Sequence, residues 1–138
     1  MLTGLLSFLG IVIGASLQYY FTRHIENQRH IRDLRSKAYT DYIKCVAELA
    51  QIHPKDNSQE KKELFARTGD AKARICLYGS RKVIEAFSAF EELGASMGTI
   101  EQRQTFTNMI LMMRADSCSE LGASSKDLQN VLLGVRKE

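Results

Sequence analysis

The chain has 138 residues, of which 44% are hydrophobic, with a single proline and nineteen Lys and Arg against sixteen Asp and Glu. That composition excludes a disordered chain, and the length allows one modest hydrophobic core. The three cysteines, Cys45, Cys76 and Cys118, are isolated, which excludes a disulfide framework and predicts buried thiols in a reducing compartment.

Residues 1–22 contain no charged side chain. A helix over residues 2–21 is about 30 Å long, the thickness of one bilayer core. A cleaved secretory signal needs a positive segment before its apolar run, and no Lys or Arg precedes this one. A helix in the core of a soluble domain normally carries a charged face. The expectation is therefore a transmembrane helix over 1–22, with Tyr19 and Tyr20 as interfacial anchors.

Residues 23–37 hold Arg23, Arg29, Arg32, Arg35 and Lys37 against Glu26 and Asp33, whereas residues 38–138 are balanced in charge. The whole excess of +3 thus lies beside the apolar run. Such a placement predicts contact of those five cations with anionic lipid headgroups, and does not point to nucleic acid. The positive-inside rule puts the following domain in the cytoplasm of a bacterial inner-membrane protein, with the N-terminus outside.

At 100° per residue, Thr3, Gly4, Ser7, Gly10, Gly14 and Gln18 share one side of the first helix. Gly10 and Gly14 form a GxxxG pair, which lets two helix backbones approach closely in lipid. The predicted oligomer or pore face is Thr3, Ser7, Gly10, Gly14 and Gln18.

Beyond Gly14 neither Gly nor Pro occurs before Pro54, so the span is expected to continue as a helix. Ile31, Leu34, Ala38, Tyr42, Cys45, Leu49 and Ile52 then recur at three- and four-residue spacing as a core stripe. Asn57 with Glu60 predicts a capping box for a second helix over 58–78. Its face is Leu64, Phe65, Thr68, Ala71, Ile75 and Tyr78, with Gly69 as a site of kinking.

Gly79 reads as a left-handed C-cap and Ser80 as the next N-cap. A third helix follows over 80–93, carrying Val83, Ile84, Phe87, Phe90 and Leu93. After the turn at 94–98, Thr99 and Gln102 predict a capping box for a fourth helix reaching residue 121 and closed by Gly122. Its stripe is Phe106, Met109, Ile110, Met113 and Leu121. Ser124 or Ser125 caps a short last helix with Leu128, Val131 and Leu132 inward. The predicted fold is all-α: an N-terminal transmembrane helix (1–22), a basic juxtamembrane helix (23–37) and a cytoplasmic four- to five-helix bundle (38–138).

Motifs for chemistry are missing from the sequence. His24, His30 and His53 lack metal-ligand spacing, and neither a phosphate loop nor a dinucleotide fingerprint occurs. No catalytic residue, cofactor or metal is expected. Arg23 and His30 match in spacing the Arg-x(4–6)-His signature of the helical HEPN ribonucleases, but they lie beside the apolar run.

Two further stretches carry a resemblance. They are Arg35-Ser-Lys-Ala38-Tyr39, and the junction from Ala73 through Leu77-Tyr78-Gly79-Ser80 to Val83-Ile84-Glu85-Ala86-Phe87. With the apolar run, they make the chain resemble a group of small bacterial single-span proteins with helical cytoplasmic domains. More loosely, it is similar to membrane-anchored accessory proteins of RNA-targeting CRISPR systems. Those accessory proteins are associated with oligomeric membrane pores. The small-polar face, the continuous first helix and the lack of catalytic motifs predict a non-enzymatic, self-associating membrane protein, with pore formation in phage defence as its concrete version. The alternatives are a tethered adaptor for a cytoplasmic protein partner and, more remotely, a HEPN-like ribonuclease.

Overall fold

The three- and four-residue spacing of apolar side chains becomes five α-helices among the described residues. They are α1 (Leu2–Gln51), α2 (Gln59–Tyr78), α3 (Arg81–Glu92), α4 (Ile100–Ser117) and α5 (Ser125–Leu133), with no strand. The computed structural model describes residues 2–51, 59–118 and 122–134, the side chains of Leu2, Thr3 and Leu5 excepted. Asn57, Ile52, His53 and Leu121 lie outside those residues, so the expected Asn57 cap does too.

The chain divides into two compact units, Met1–Asp33 and Leu34–Glu138. In the first, the helix exposes its large apolar side chains all round, from Leu6, Phe8 and Leu9 through Ile11, Val12 and Ile13 to Leu17 and Phe21. Among the described residues no helix is long and apolar enough to cross a membrane, so they do not carry the expected span. Leu2 and Leu5, whose side chains are not described, belong to the same uncharged run.

The second unit is the helical bundle. Its core joins Ala38, Tyr39 and Tyr42 of α1 and Ala71 and Ile75 of α2 to Val83, Ala86 and Phe90 of α3. From α4 come Phe106, Met109, Ile110 and Met113. Tyr42 meets Phe87 edge-on at 4.9 Å between ring centres, and Phe90 lies 5.3 Å from Phe106. Buried Thr68 and Thr107 donate their hydroxyls to the carbonyls of Leu64 and Arg103, so neither is an unpaired polar group.

Several expected positions move. Phe65 and Ile84 face outward, because α2 buries the row Leu64, Thr68, Ala71, Ile75 and α3 buries Val83, Ala86 and Phe90. On α5, Val131 and Leu132 are exposed, and Leu133, about 200° round the helix from Val131, packs on the core. Cys45 is buried as expected, whereas Cys76 and Cys118 are exposed. Cys76 follows Ile75 by one position, a 100° turn away from the core row.

Helix ends also differ in detail. α2 runs unbroken through Gly69. α4 stops at Ser117, where Cys118 turns extended (φ −117, ψ 132), well before Gly122. The α3–α4 turn is a complete Schellman motif: Ala95 N–H donates to Phe90 O and Gly94 N–H to Glu91 O. Gly94 supplies the φ of +85 that this turn requires. The Thr99–Gln102 capping box forms, and the Gln102 amide also donates to Leu93 O at 2.7 Å, clamping both sides of the turn. Ser124 caps α5 by accepting from the Asp127 amide at 3.1 Å.

Candidate functional site

The residues singled out by sequence fall in two places, one in each unit. In the first unit, Ser7, Gly10, Gly14 and Gln18 lie on the helix and are exposed; the side chain of Thr3 is not described. A Cβ added at Gly10 or Gly14 meets nothing within 4 Å. The chain's own fold therefore makes no demand for glycine at either position. Ser16 returns its hydroxyl to Val12 O at 2.8 Å, which hides that polar group within the helix.

Just beyond, Tyr20, Arg23, His24, Asn27 and His30 line one open groove along the helix with Glu26. Arg23 donates to the Tyr19 hydroxyl at 3.3 Å, and His24 bonds Gln28 at 2.9 Å. Arg23 and His30, the pair with ribonuclease-like spacing, thus share a helix face. Arg29 and Arg32 are exposed as well.

In the second unit Lys37 is exposed, but Arg35 is not a free surface cation. Its guanidinium donates through Nε to Tyr78 O at the end of α2 and pairs through Nη1 with Asp116 Oδ1 at 3.5 Å. Tyr39, one turn along α1, donates to the other oxygen, Asp116 Oδ2, at 2.6 Å. The nearby Ser80 backbone and the charge of Arg35 favour the ionised form of the same hydroxyl. Burial, followed by the bond to Asp116 and its charge, holds the Tyr39 hydroxyl well above the ordinary tyrosine range.

The stretch at Arg35–Tyr39 and the junction at Tyr78–Ser80 therefore meet. Arg35 and Tyr39 from one close on Tyr78 and Gly79 from the other, and Asp116 of α4 holds Arg35 and Tyr39 in place. This explains why Gly79 is not the left-handed cap that was expected. Its amide continues the helix by donating to Ile75 O at 2.7 Å, and the carbonyl of Tyr78 is satisfied by Arg35 from another helix. What demands glycine is space: a Cβ would lie 2.5 Å from Ile75 O and 3.4 Å from the Tyr39 hydroxyl. Ser80 caps α3 by conformation alone (φ −70, ψ 158), without a side-chain bond.

Asp116 was missed from sequence, although a signal existed. It continues the three-residue step after Met113, so a carboxylate stands where the apolar stripe of α4 predicts another hydrophobe. A second polar cluster, around a depression of about 320 Å³, links α1 and α2 through Arg67–Glu48 and Arg74–Asp41 ion pairs. Cys45 forms part of its lining. Among the described residues no group of His, Cys, Asp or Glu is placed to hold a metal ion, and no buried side-chain polar atom lacks a partner.

Comparison of the chain with protein-family models, curated proteins and solved structures finds no match. The two clusters of the bundle are closed sets of bonds joining helices. Among the described residues, exposed large apolar side chains run along the first-unit helix and recur in the bundle at Phe65, Leu77, Ile84, Ile100, Val131 and Leu132.

Proposed function

We propose that the protein is a single-span membrane protein that self-associates and acts on or at the bilayer, with the bundle on the cytoplasmic side. The observation that carries this reading is the first-unit helix, uncharged over residues 1–22 and exposing large apolar side chains beside its face of small and polar residues. An uncharged helix with that much exposed apolar surface needs cover, either from a protein core or from lipid. The bundle has its own closed core, and Leu2 and Leu5 extend the run to the length of a bilayer. Arg23, Arg29, Arg32 and Lys37 are exposed at or after its end, placed to meet anionic headgroups. Arg35, engaged by Asp116 and Tyr78, is left out of that set.

Assembly runs through the face of Thr3, Ser7, Gly10, Gly14 and Gln18, with a membrane pore as its functional form. Alkaline carbonate should leave the protein in the membrane fraction, and a membrane-impermeant maleimide should reach Cys118 only from the cytoplasmic side. Carbonate release, or Cys118 labelling in intact cells, overturns the topology. Gly10→Leu with Gly14→Leu should reduce the oligomer in detergent. Exchanging residues 2–21 for an unrelated apolar helix separates a pore, which loses function, from a tethered adaptor, which keeps it.

A further inference from the structure

Helix α2 has two apolar faces, and only one is used. Leu64, Thr68, Ala71 and Ile75 are buried in the bundle. Across the helix, Phe65, Ala66, Gly69, Ala73, Cys76 and Leu77 are all exposed and fall within about 120°. Phe65 is 55% and Leu77 74% exposed, and Lys62 is the one charge inside the sector. Gly69 sits mid-helix at a cost of about 1 kcal/mol relative to Ala. Unlike Gly79, it receives nothing for this from its own chain, since a Cβ there meets nothing within 4 Å.

The edges of the sector carry opposite charge. Lys61 and Lys72 border one side, Glu63 and Asp70 the other. Lys72 also reaches Glu91, and Asp70 also reaches Arg74, both as partly exposed pairs. For two copies facing each other about a two-fold axis parallel to α2, the basic edge of each lies against the acidic edge of the other. Lys61 then stands two residues from the level of Glu63, and Lys72 two residues from Asp70, each about 3 Å along the axis. At the edges an antiparallel pair would instead set lysines against lysines and carboxylates against carboxylates. The parallel pair has one like-charge meeting, Lys62 with Lys62 near the N-terminal end of the face. Small residues at Gly69 and Ala73 allow the close approach of axes that such a pair needs.

We propose that this outer face of α2 is the docking surface for a second copy of the chain, with the two α2 helices parallel about a two-fold axis. The contact goes beyond the pairing of residues 1–22 and involves none of them. One helix face is small beside the roughly 800 Å² per partner of a standard interface. Pairing is therefore weak in dilute solution and strong where copies share a surface, a point that rests on the proposed membrane tether.

A parallel pair brings Cys76 of each copy near the axis, within the ~6 Å between Cα atoms that a disulfide bridges. Mild copper-phenanthroline oxidation of the full chain in its membranes should yield a disulfide-linked dimer. Cys118→Ser should keep it and Cys76→Ser should abolish it. Gly69→Leu should lower the yield at least tenfold without lowering the melting temperature, because the single chain has room for the new side chain. Lys61→Glu should lower the yield, and adding Glu63→Lys to the same chain should restore it.

Absence of a Cys76-dependent dimer overturns the proposal. So does linking that Gly69→Leu leaves intact, or linking of Cys76 to a cysteine introduced at Ala66, which marks an antiparallel pair or another partner. Run on the Gly10→Leu, Gly14→Leu chain, the assay separates the two readings. Cys76 linking survives there if only pairing through residues 1–22 fails, and is lost from both chains if the α2 face is not the interface.

Discussion

Tyr39 donates its hydroxyl hydrogen to Asp116 at 2.6 Å, joining side chains 77 positions apart. Arg35 holds the other carboxylate oxygen, so the end of α4 is tied to α1 by two bonds from one helix turn. Tyr39→Phe removes one bond to a charged acceptor and should cost about 1.5–3 kcal/mol in urea unfolding followed by circular dichroism. Arg35→Ala should cost about 1–3 kcal/mol, between surface and buried pairs, since both side chains keep some exposure to solvent. The double variant should lose less than the sum, because both residues act on the same carboxylate.

The two glycines of the α2 region should respond in opposite directions. Gly79→Ala forces a Cβ against Ile75 O at 2.5 Å and should destabilise by about 1–3 kcal/mol. Gly69→Ala places its Cβ in open space on a regular helix and should stabilise by about 1 kcal/mol. Thermal melts of the two variants beside the parent chain check both signs.

High pH should weaken the bundle through its two buried tyrosines. Burial first, then the Asp116 bond, raises the Tyr39 hydroxyl above its ordinary 10.0, and burial, then the charge of Glu91, raises Tyr42. Folded chains then keep protons that unfolded chains release, so this stability is intact below about pH 10 and declines as pH rises further. The limiting slope is about 1.4 kcal/mol per pH unit for each tyrosine. A Tyr39→Phe, Tyr42→Phe chain should show a flatter stability profile above pH 10 than the parent. An equal slope would remove the assignment.

The α3–α4 turn should be sensitive at both caps. Thr99→Ala breaks the capping box and should cost about 1 kcal/mol. Gly94→Ala puts a Cβ on a backbone at φ +85 and should cost about the same. Denaturant midpoints for the two single variants test this.

Much of the bundle was legible in the sequence, because burial there follows the helical repeat. Ala38, Tyr42 and Cys45, then Leu64, Thr68, Ala71 and Ile75, then Phe106, Met109, Ile110 and Met113 are buried as their spacing predicts. The Thr99–Gln102 and Ser124 caps are local chemistry and were equally readable. What escaped depends on contacts between distant segments. Gly79 looked like a cap because Arg35, which satisfies the Tyr78 carbonyl, and Tyr39, which crowds Gly79, lie some forty positions away. Asp116 was missed because its partners sit on another helix. On α5 the face of Leu128, Val131 and Leu132 looked inward by spacing, but Val131 and Leu132 are exposed and Leu133, about 200° round from Val131, packs on the core.

The unequal exposure of the three thiols turns the chain into its own counter. Cys45 is shielded between α1 and α2, while Cys76 and Cys118 are open to reagent. An unfolded chain titrates three equivalents of a thiol reagent, and a folded single chain titrates two at once. A chain paired along α2 would titrate one. The slow third equivalent times the opening of the α1–α2 contact, and the missing second one reports the fraction of chains in a pair.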